Sequence, residues 1–317
     1  MRERVIRVSK ISISIILLLL ILRQIDLIEF KSVLKHTSIY SVFIVVMAYS
    51  ASVVINAIKW KVLLPNVEIS FLIDLSFRAQ LYSTVLPGQL FGEASKVTAW
   101  TKRNENISTI AASVIFDKIT GIFGQIIICI CGLYISKNTT NISNKWTIIA
   151  VLIIGIGLIY LSTESHMSAH IGNSVMALRK VNYKLATKLG ELYEAWSLFS
   201  SNRSILCKSI SWGIVNQMLA ISSVWYMSSQ MKLAVSFVDF CWIIPLMSVI
   251  LLLPISFAGI GLRDTSLASF LLLFNVSASN SFVISLSLLL GQLVAAGIGA
   301  IYVLNNNFRM KQEKYEI

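Results

Sequence analysis

Apolar runs approaching or exceeding bilayer length follow one another along this chain, and they constrain its fold more than any motif does. A spanning helix needs about 20 predominantly apolar residues, and in lipid only helices and closed barrels leave no backbone group unsatisfied. Runs at 11–22, 38–58, 107–135, 146–163, 207–228, 240–253 and 281–304 are read as spanning helices. The composition agrees: 56% of residues are hydrophobic and 13% charged, with mean hydropathy +0.76, whereas soluble domains are about 25% charged. The expected fold is therefore an all-α polytopic membrane protein, with residues 1–317 forming a single integral-membrane domain. No stretch is large enough for a separate soluble catalytic domain. The net charge of +12 does not point to nucleic acid. Lys and Arg cluster in short loops beside apolar runs, where they orient the chain and attract anionic head groups.

The first ten residues, MRERVIRVSK, carry four basic groups. No small-residue cleavage site follows before Arg23, so the run is read as an uncleaved first helix with a cytoplasmic N-terminus. Lys59 and Lys61 mark a cytoplasmic end of the second span, while Lys31 and Lys35 in the opposite loop run against the rule. Residues 164–206 read as a cytoplasmic connector. Within it, 186–199 sets Leu189, Leu192, Tyr193, Trp196 and Phe199 on one side of a helix, which suits an interfacial amphipathic helix or a solvated connector. The tail 305–317 is expected to be cytoplasmic. An even crossing number then needs an eighth span, and 262–276 is the spare segment. Residues 66–95, basic and cytoplasmic at both flanks, read as a re-entrant hairpin or a surface helix. About eight transmembrane helices plus this element are expected.

Neither metal nor cofactor is expected. Cys129 and Cys131 lie in one apolar run, Cys207 and Cys241 open others, and all four read as core filler. His166 and His170 are spaced i, i+4, but no carboxylate or cysteine pattern accompanies them. Asp117 and Lys118 lie inside the 107–135 run. Adjacent helical positions diverge by about 100°, so Asp117 is expected to face a cavity or a cation on another helix.

Two interrupted elements carry the functional signal. LPGQLFGE (86–93) and LPISFAGIGLRD (253–264) each place Leu-Pro ahead of a Gly five residues beyond the Pro, then an ionisable side chain. Pro87 and Pro254 break a helix, and Gly92, Gly259 and Gly261 allow the backbone such a break needs. Paired interrupted segments in the two halves of a chain point to a transporter's binding site and to an internal, possibly inverted, repeat. Half-helix N-termini near Gly92 and Leu262 would suit a phosphate or carboxylate. Arg263 would add a full charge, and Glu93 and Asp264 would balance it or carry a proton. A tight cytoplasmic turn, with Arg263 as a topology charge, is the structural alternative.

These blocks also resemble the flippase-like, lysylphosphatidylglycerol-synthase transmembrane-region family of bacterial and archaeal membrane proteins. LPGQLFGEASKVTAW (86–100) resembles its Pro…Gly-Glu…Arg/Lys element, with Pro87, Gly92 and Glu93 in the matching places. ASVIFDKITGIF (112–123) resembles its acidic helix, with Asp117 in the acidic place. LLLPISFAGIGLRDTSLASFLL (251–272) resembles its Pro-x-Ser-x-x-Gly-x-Gly-x-Arg-Glu/Asp element, with Pro254, Gly259, Gly261, Arg263 and Asp264 matching. Asp264 stands where Glu is frequent, and Phe116-Asp117-Lys118 where an Arg-then-Asp order is common. The resemblance implies the translocation half of such proteins without the aminoacyltransferase domain.

The leading expectation is thus a lipid translocase of the cytoplasmic membrane, moving a phospholipid, glycolipid or polyprenol-linked sugar between leaflets, and a transporter rather than an enzyme. Arg263 would hold the phosphate, and Lys96 and Arg103 would gather anionic head groups at the cytoplasmic mouth. Its partners would be membrane lipids and envelope-biosynthesis enzymes. The competing readings are an integral-membrane glycosyl- or phosphotransferase using Glu93, Asp117, Asp239 or Asp264, and a non-catalytic envelope-assembly scaffold.

Overall fold

The computed structural model describes residues 18–19, 21–86, 90–100, 107–137, 146, 149–150, 190, 197, 199, 201–252, 256 and 258–315. Most of the first span, most of the 146–163 span, most of the 186–199 stretch, and Pro87, Arg103 and Pro254 lie outside these. In chain order the helices are α1 Leu27–His36, α2 Ile39–Leu63, α3 Ile69–Val85, α4 Leu90–Thr98, α5 Ile107–Ile135, α6 Arg203–Gln230, α7 Phe237–Ile250, α8 Leu262–Leu272 and α9 Ala278–Tyr315. Their starts are written in local chemistry. Asn202 caps α6 by accepting from the Ser204 and Ile205 amides, and Ser236 with Asp239 forms a capping box on α7.

The chain is an all-α polytopic membrane protein. Among the described residues, α2, α5 and the Ala278–Asn305 part of α9 are each long and apolar enough to cross a bilayer. Their burial is inside out relative to a soluble bundle. Ile39, Phe43 and Met47 on α2 and Leu293 and Ile301 on α9 are exposed, whereas Ser41, Ser281, Ser285 and Ser287 are buried. Water gives no reason for that pattern, but lipid does: apolar side chains face acyl tails, and small residues let helix backbones approach.

Helices α3 and α4 form the hairpin expected at 66–95. Helix α4 has 9 residues, about 14 Å, and it returns along α3. A Cβ at Gly92 would collide with the Ala79 carbonyl and the Ser83 hydroxyl, so the absence of a side chain sets this approach. Phe71 and Trp100 clasp the open end edge-on, with centroids 5.2 Å apart. Gly92→Ala is expected to cost about 1–3 kcal/mol through overpacking. Gly297→Ala, whose Cβ would meet nothing within 4 Å, should be neutral or slightly stabilising. The thermal midpoints of the two purified variants test this.

Helices α7 and α8 form a second hairpin, and here one expectation changes. The segments 240–253 and 262–276, both expected to cross, fold back on each other instead, which leaves six expected spans. Helix α8 has 11 residues, about 16 Å of a hydrocarbon core of about 30 Å. Its C-terminal end turns back to the start of α7: Trp242 meets Phe270 edge-on at 5.7 Å and Phe274 at 6.2 Å. The aromatic partners lie at the level where the hairpin began, so the chain returns there.

The two hairpins enter from opposite ends. The open end of α3–α4 packs in a cluster with Trp60 and Leu63 near the C-terminus of α2. The open end of α7–α8 packs in a cluster with Val42 and Val45 near its N-terminus. The neighbour relations repeat in the same inverted sense. Helix α3 packs on α9 as α7 packs on α5, α2 packs on α9 as α6 packs on α5, and α2 and α6 pack on each other. Exchanging α2–α5 with α6–α9 maps these contacts onto one another. This is an inverted repeat, and it brings two hairpin tips to the middle of the molecule.

Candidate functional site

A cavity of about 310 Å³ lies between the hairpins, with Glu93, Lys96, Asp117 and Arg263 all on its wall. Four residues singled out from three separate stretches of sequence are thus brought together. Gly259 and Gly261 shape the tip beside it, and Gly92 packs α4 on α3.

The Arg263 end is built by the second tip. Ala258, Gly259 and Gly261 have φ of 54°, 77° and 79°, a left-handed path that glycine takes without steric cost and alanine does not. The path ends at the start of α8, where an Asp264 carboxylate oxygen accepts the Gly261 N–H at 2.8 Å. The other oxygen accepts from the Ser285 hydroxyl. Arg263 donates from Nε to Ser285 Oγ at 3.0 Å and from Nη1 to Gln292 Oε1 at 3.2 Å. Its guanidinium is therefore fixed on two sides, while Nη2 is buried with no hydrogen-bond partner among the described residues. Arg263 is 4% exposed. A buried guanidinium nitrogen without an acceptor is costly, and an oxyanion in the cavity would satisfy it. Asp264 thus caps the helix, accepts from Ser285 and lies 3.9 Å from Arg263 Nε.

The opposite end carries five ionisable groups. Glu93 spans two lysines, with Lys96 Nζ at 2.9 Å from Oε2 and Lys118 Nζ at 3.6 Å from Oε1. Lys96 also lies 5.1 Å above the Trp60 ring, a cation–π contact. Lys59 donates to the Asp117 carbonyl and lies 3.2 Å from Asp117 Oδ1. By sequence alone Lys59 is an orienting charge at the end of a span. It is 2% exposed, because α2 runs on past it to Leu63 and turns it inward. Lys61 fits the orienting role, with its Nζ on the Pro65 and Val67 carbonyls. Counting Arg263, four cations and two carboxylates line the wall, and Asp264 stands behind Arg263 at 3.9 Å from its Nε.

Gln292 of α9 joins the two tips. Its Nε2 donates to Thr84 Oγ1 of α3 at 3.3 Å and to the Ala258 carbonyl at 3.4 Å, while its Oε1 holds Arg263. Nearby, Gln80 donates to the Tyr49 hydroxyl at 2.9 Å. Gln80, Gln292 and Tyr49 carry no signal of their own in the sequence, and Lys59 stands out there only as a flanking charge. The charges that interrupt α3, Asp74 and Arg78, pair with each other one turn apart, so they belong to the helix rather than to the cavity. Asp239 accepts from Ser136 Oγ at 2.5 Å and from Ser236, which ties the end of α5 to the start of α7 outside the cavity.

Two helical hairpins entering from opposite ends and meeting over a cavity lined by charged side chains define a helical membrane protein with a polar interior. The chain belongs to the family described as the lysylphosphatidylglycerol synthase TM region, whose model matches residues 7–297. That family connects it with membrane lipid. Neither a curated protein nor a solved structure matches the chain.

Proposed function

We propose that the protein is a lipid translocase in which a phosphate-bearing head group moves between leaflets through the cavity while the acyl chains stay in the bilayer. The observation that carries this reading is Arg263 Nη2, unpartnered among the described residues, on the wall of the cavity where the two hairpins meet. A polar head group cannot cross hydrocarbon cheaply, and a translocase must replace its water with fixed donors. Arg263, the three lysines and the amides of Gln80 and Gln292 are such donors. The oxyanion would dock on Arg263, whose other nitrogens are already held, so little order is lost on binding. The basic N-terminal segment and Lys61 at the end of α2 favour a cytoplasmic N-terminus in the cytoplasmic membrane. Envelope-biosynthesis enzymes would then supply or consume the lipid.

Purified protein in vesicles tests the reading. Exchange of a fluorescent phosphatidylglycerol between leaflets should exceed that in protein-free vesicles, and exchange of a lipid without phosphate, such as a diacylglycerol, should not. Equal acceleration of both would reject a phosphate-reading cavity. Consumption of the lipid with formation of a new product would favour the transferase alternative.

A further inference from the structure

The inverted repeat reaches individual residues of the cavity. Leu86-Pro87 and Leu253-Pro254, Gly92 and Gly259, Lys96 and Arg263, and Gly124-Gln125 and Gly291-Gln292 are all separated by the same 167 positions. The last pair sits on α5 and α9, the helices the repeat exchanges. Their glycines do equivalent work. A Cβ at Gly291 would meet the Tyr49 side chain on α2, and one at Gly124 would meet the backbone of Gly213 and Ile214 on α6. The glutamines differ. Gln292 holds Arg263 and ties Thr84 to Ala258. Gln125 lines the same cavity, yet among the described residues it makes no corresponding tie.

We propose that Gln125 is the functional counterpart of Gln292, and that Lys96 and Arg263 form two oxyanion half-sites used in turn. When the tie between the tips passes from α9 to α5, the second tip is released and the first is held. Lys96 then offers its charge to the phosphate as Arg263 does in the present state. Inverted repeats make this exchange natural, because the contacts of one half can be adopted by the other at similar free energy. The Glu93 carboxylate that now pairs with Lys96 is also within reach of Lys118, so Lys96 can be freed without leaving Glu93 unpaired. The proposal rests on the translocation reading only for the identity of what moves.

Its test reads conformation rather than transport. Ser52→Cys and Ser248→Cys, both on the cavity wall, are placed singly in a cysteine-free background and reconstituted in vesicles of one orientation. A membrane-impermeant maleimide is then supplied from one side or the other. Gln292→Ala should move labelling toward the face disfavoured in the parent, by about fivefold for each hydrogen bond lost. Adding Gln125→Ala to Gln292→Ala should reverse most of that movement. Thr84→Val removes one end of the same tie and should act in the same direction as Gln292→Ala if that variant fails to accumulate. An unchanged labelling ratio in the single variants, or a shift that persists when Gln125 is also removed, overturns the proposal. A labelling shift without phosphatidylglycerol exchange would keep it and remove the lipid reading.

Discussion

Arg263→Ala is expected to slow leaflet exchange of phosphatidylglycerol in vesicles by roughly 10- to 150-fold, with protein level and monodispersity retained. The size follows from one charge-assisted hydrogen bond to a phosphate, about 1.5–3 kcal/mol. Three contacts make the residue specific. Ser285 and Gln292 fix Nε and Nη1, and Asp264 holds the α8 start that carries it. Arg263→Lys is expected to recover only part of the rate, because an ammonium cannot keep both anchors and still present a free donor. The fold has reason to survive the change. Asp264 loses the guanidinium 3.9 Å from it but keeps its bonds to Gly261 and Ser285, and the nitrogen removed with the side chain has no partner among the described residues. Exchange at the parental rate in Arg263→Ala would remove Arg263 from the mechanism.

The second large effect is on stability. Asp117→Asn or Lys59→Met alone should lower stability by about 3–5 kcal/mol, because each leaves its partner as an uncompensated buried charge. Lys59 is 2% and Asp117 8% exposed, and they join α2 to α5 at the cationic end of the cavity. The pair Lys59→Met with Asp117→Leu should regain most of the loss, since apolar residues can replace a buried pair at little net cost. Transport should stay impaired in that double variant. Thermal unfolding of the four proteins, followed by intrinsic fluorescence, gives the comparison. Single variants as stable as the parent would mean that water reaches the pair and that it is not buried in the membrane.

Much of this architecture could be read from residue chemistry. The apolar runs gave the all-α membrane class, and paired Leu-Pro elements marked both hairpins. What sequence could not supply was direction. An apolar segment of 14 or 11 residues reads the same whether it continues across the bilayer or folds back, and the decision rests on Trp242 finding Phe270 and Phe274 at long range. Lys59 was misread for a related reason. A lysine near the end of an apolar run resembles a flanking charge, and only the continuation of α2 to Leu63 turns it inward. Gln292 is legible only in retrospect, through a Gly-Gln pair repeated at the spacing of the two prolines.

For a head group to pass in this mechanism, the hairpin tips must part. Cysteines replacing Thr84 and Ala258, whose polar atoms share the Gln292 amide, allow the tips to be joined by a short cleavable bis-thiol reagent in an otherwise cysteine-free protein. Joined tips should stop phosphatidylglycerol exchange, and cleavage of the link should restore it. Exchange that continues at full rate with the tips held together would contradict the account.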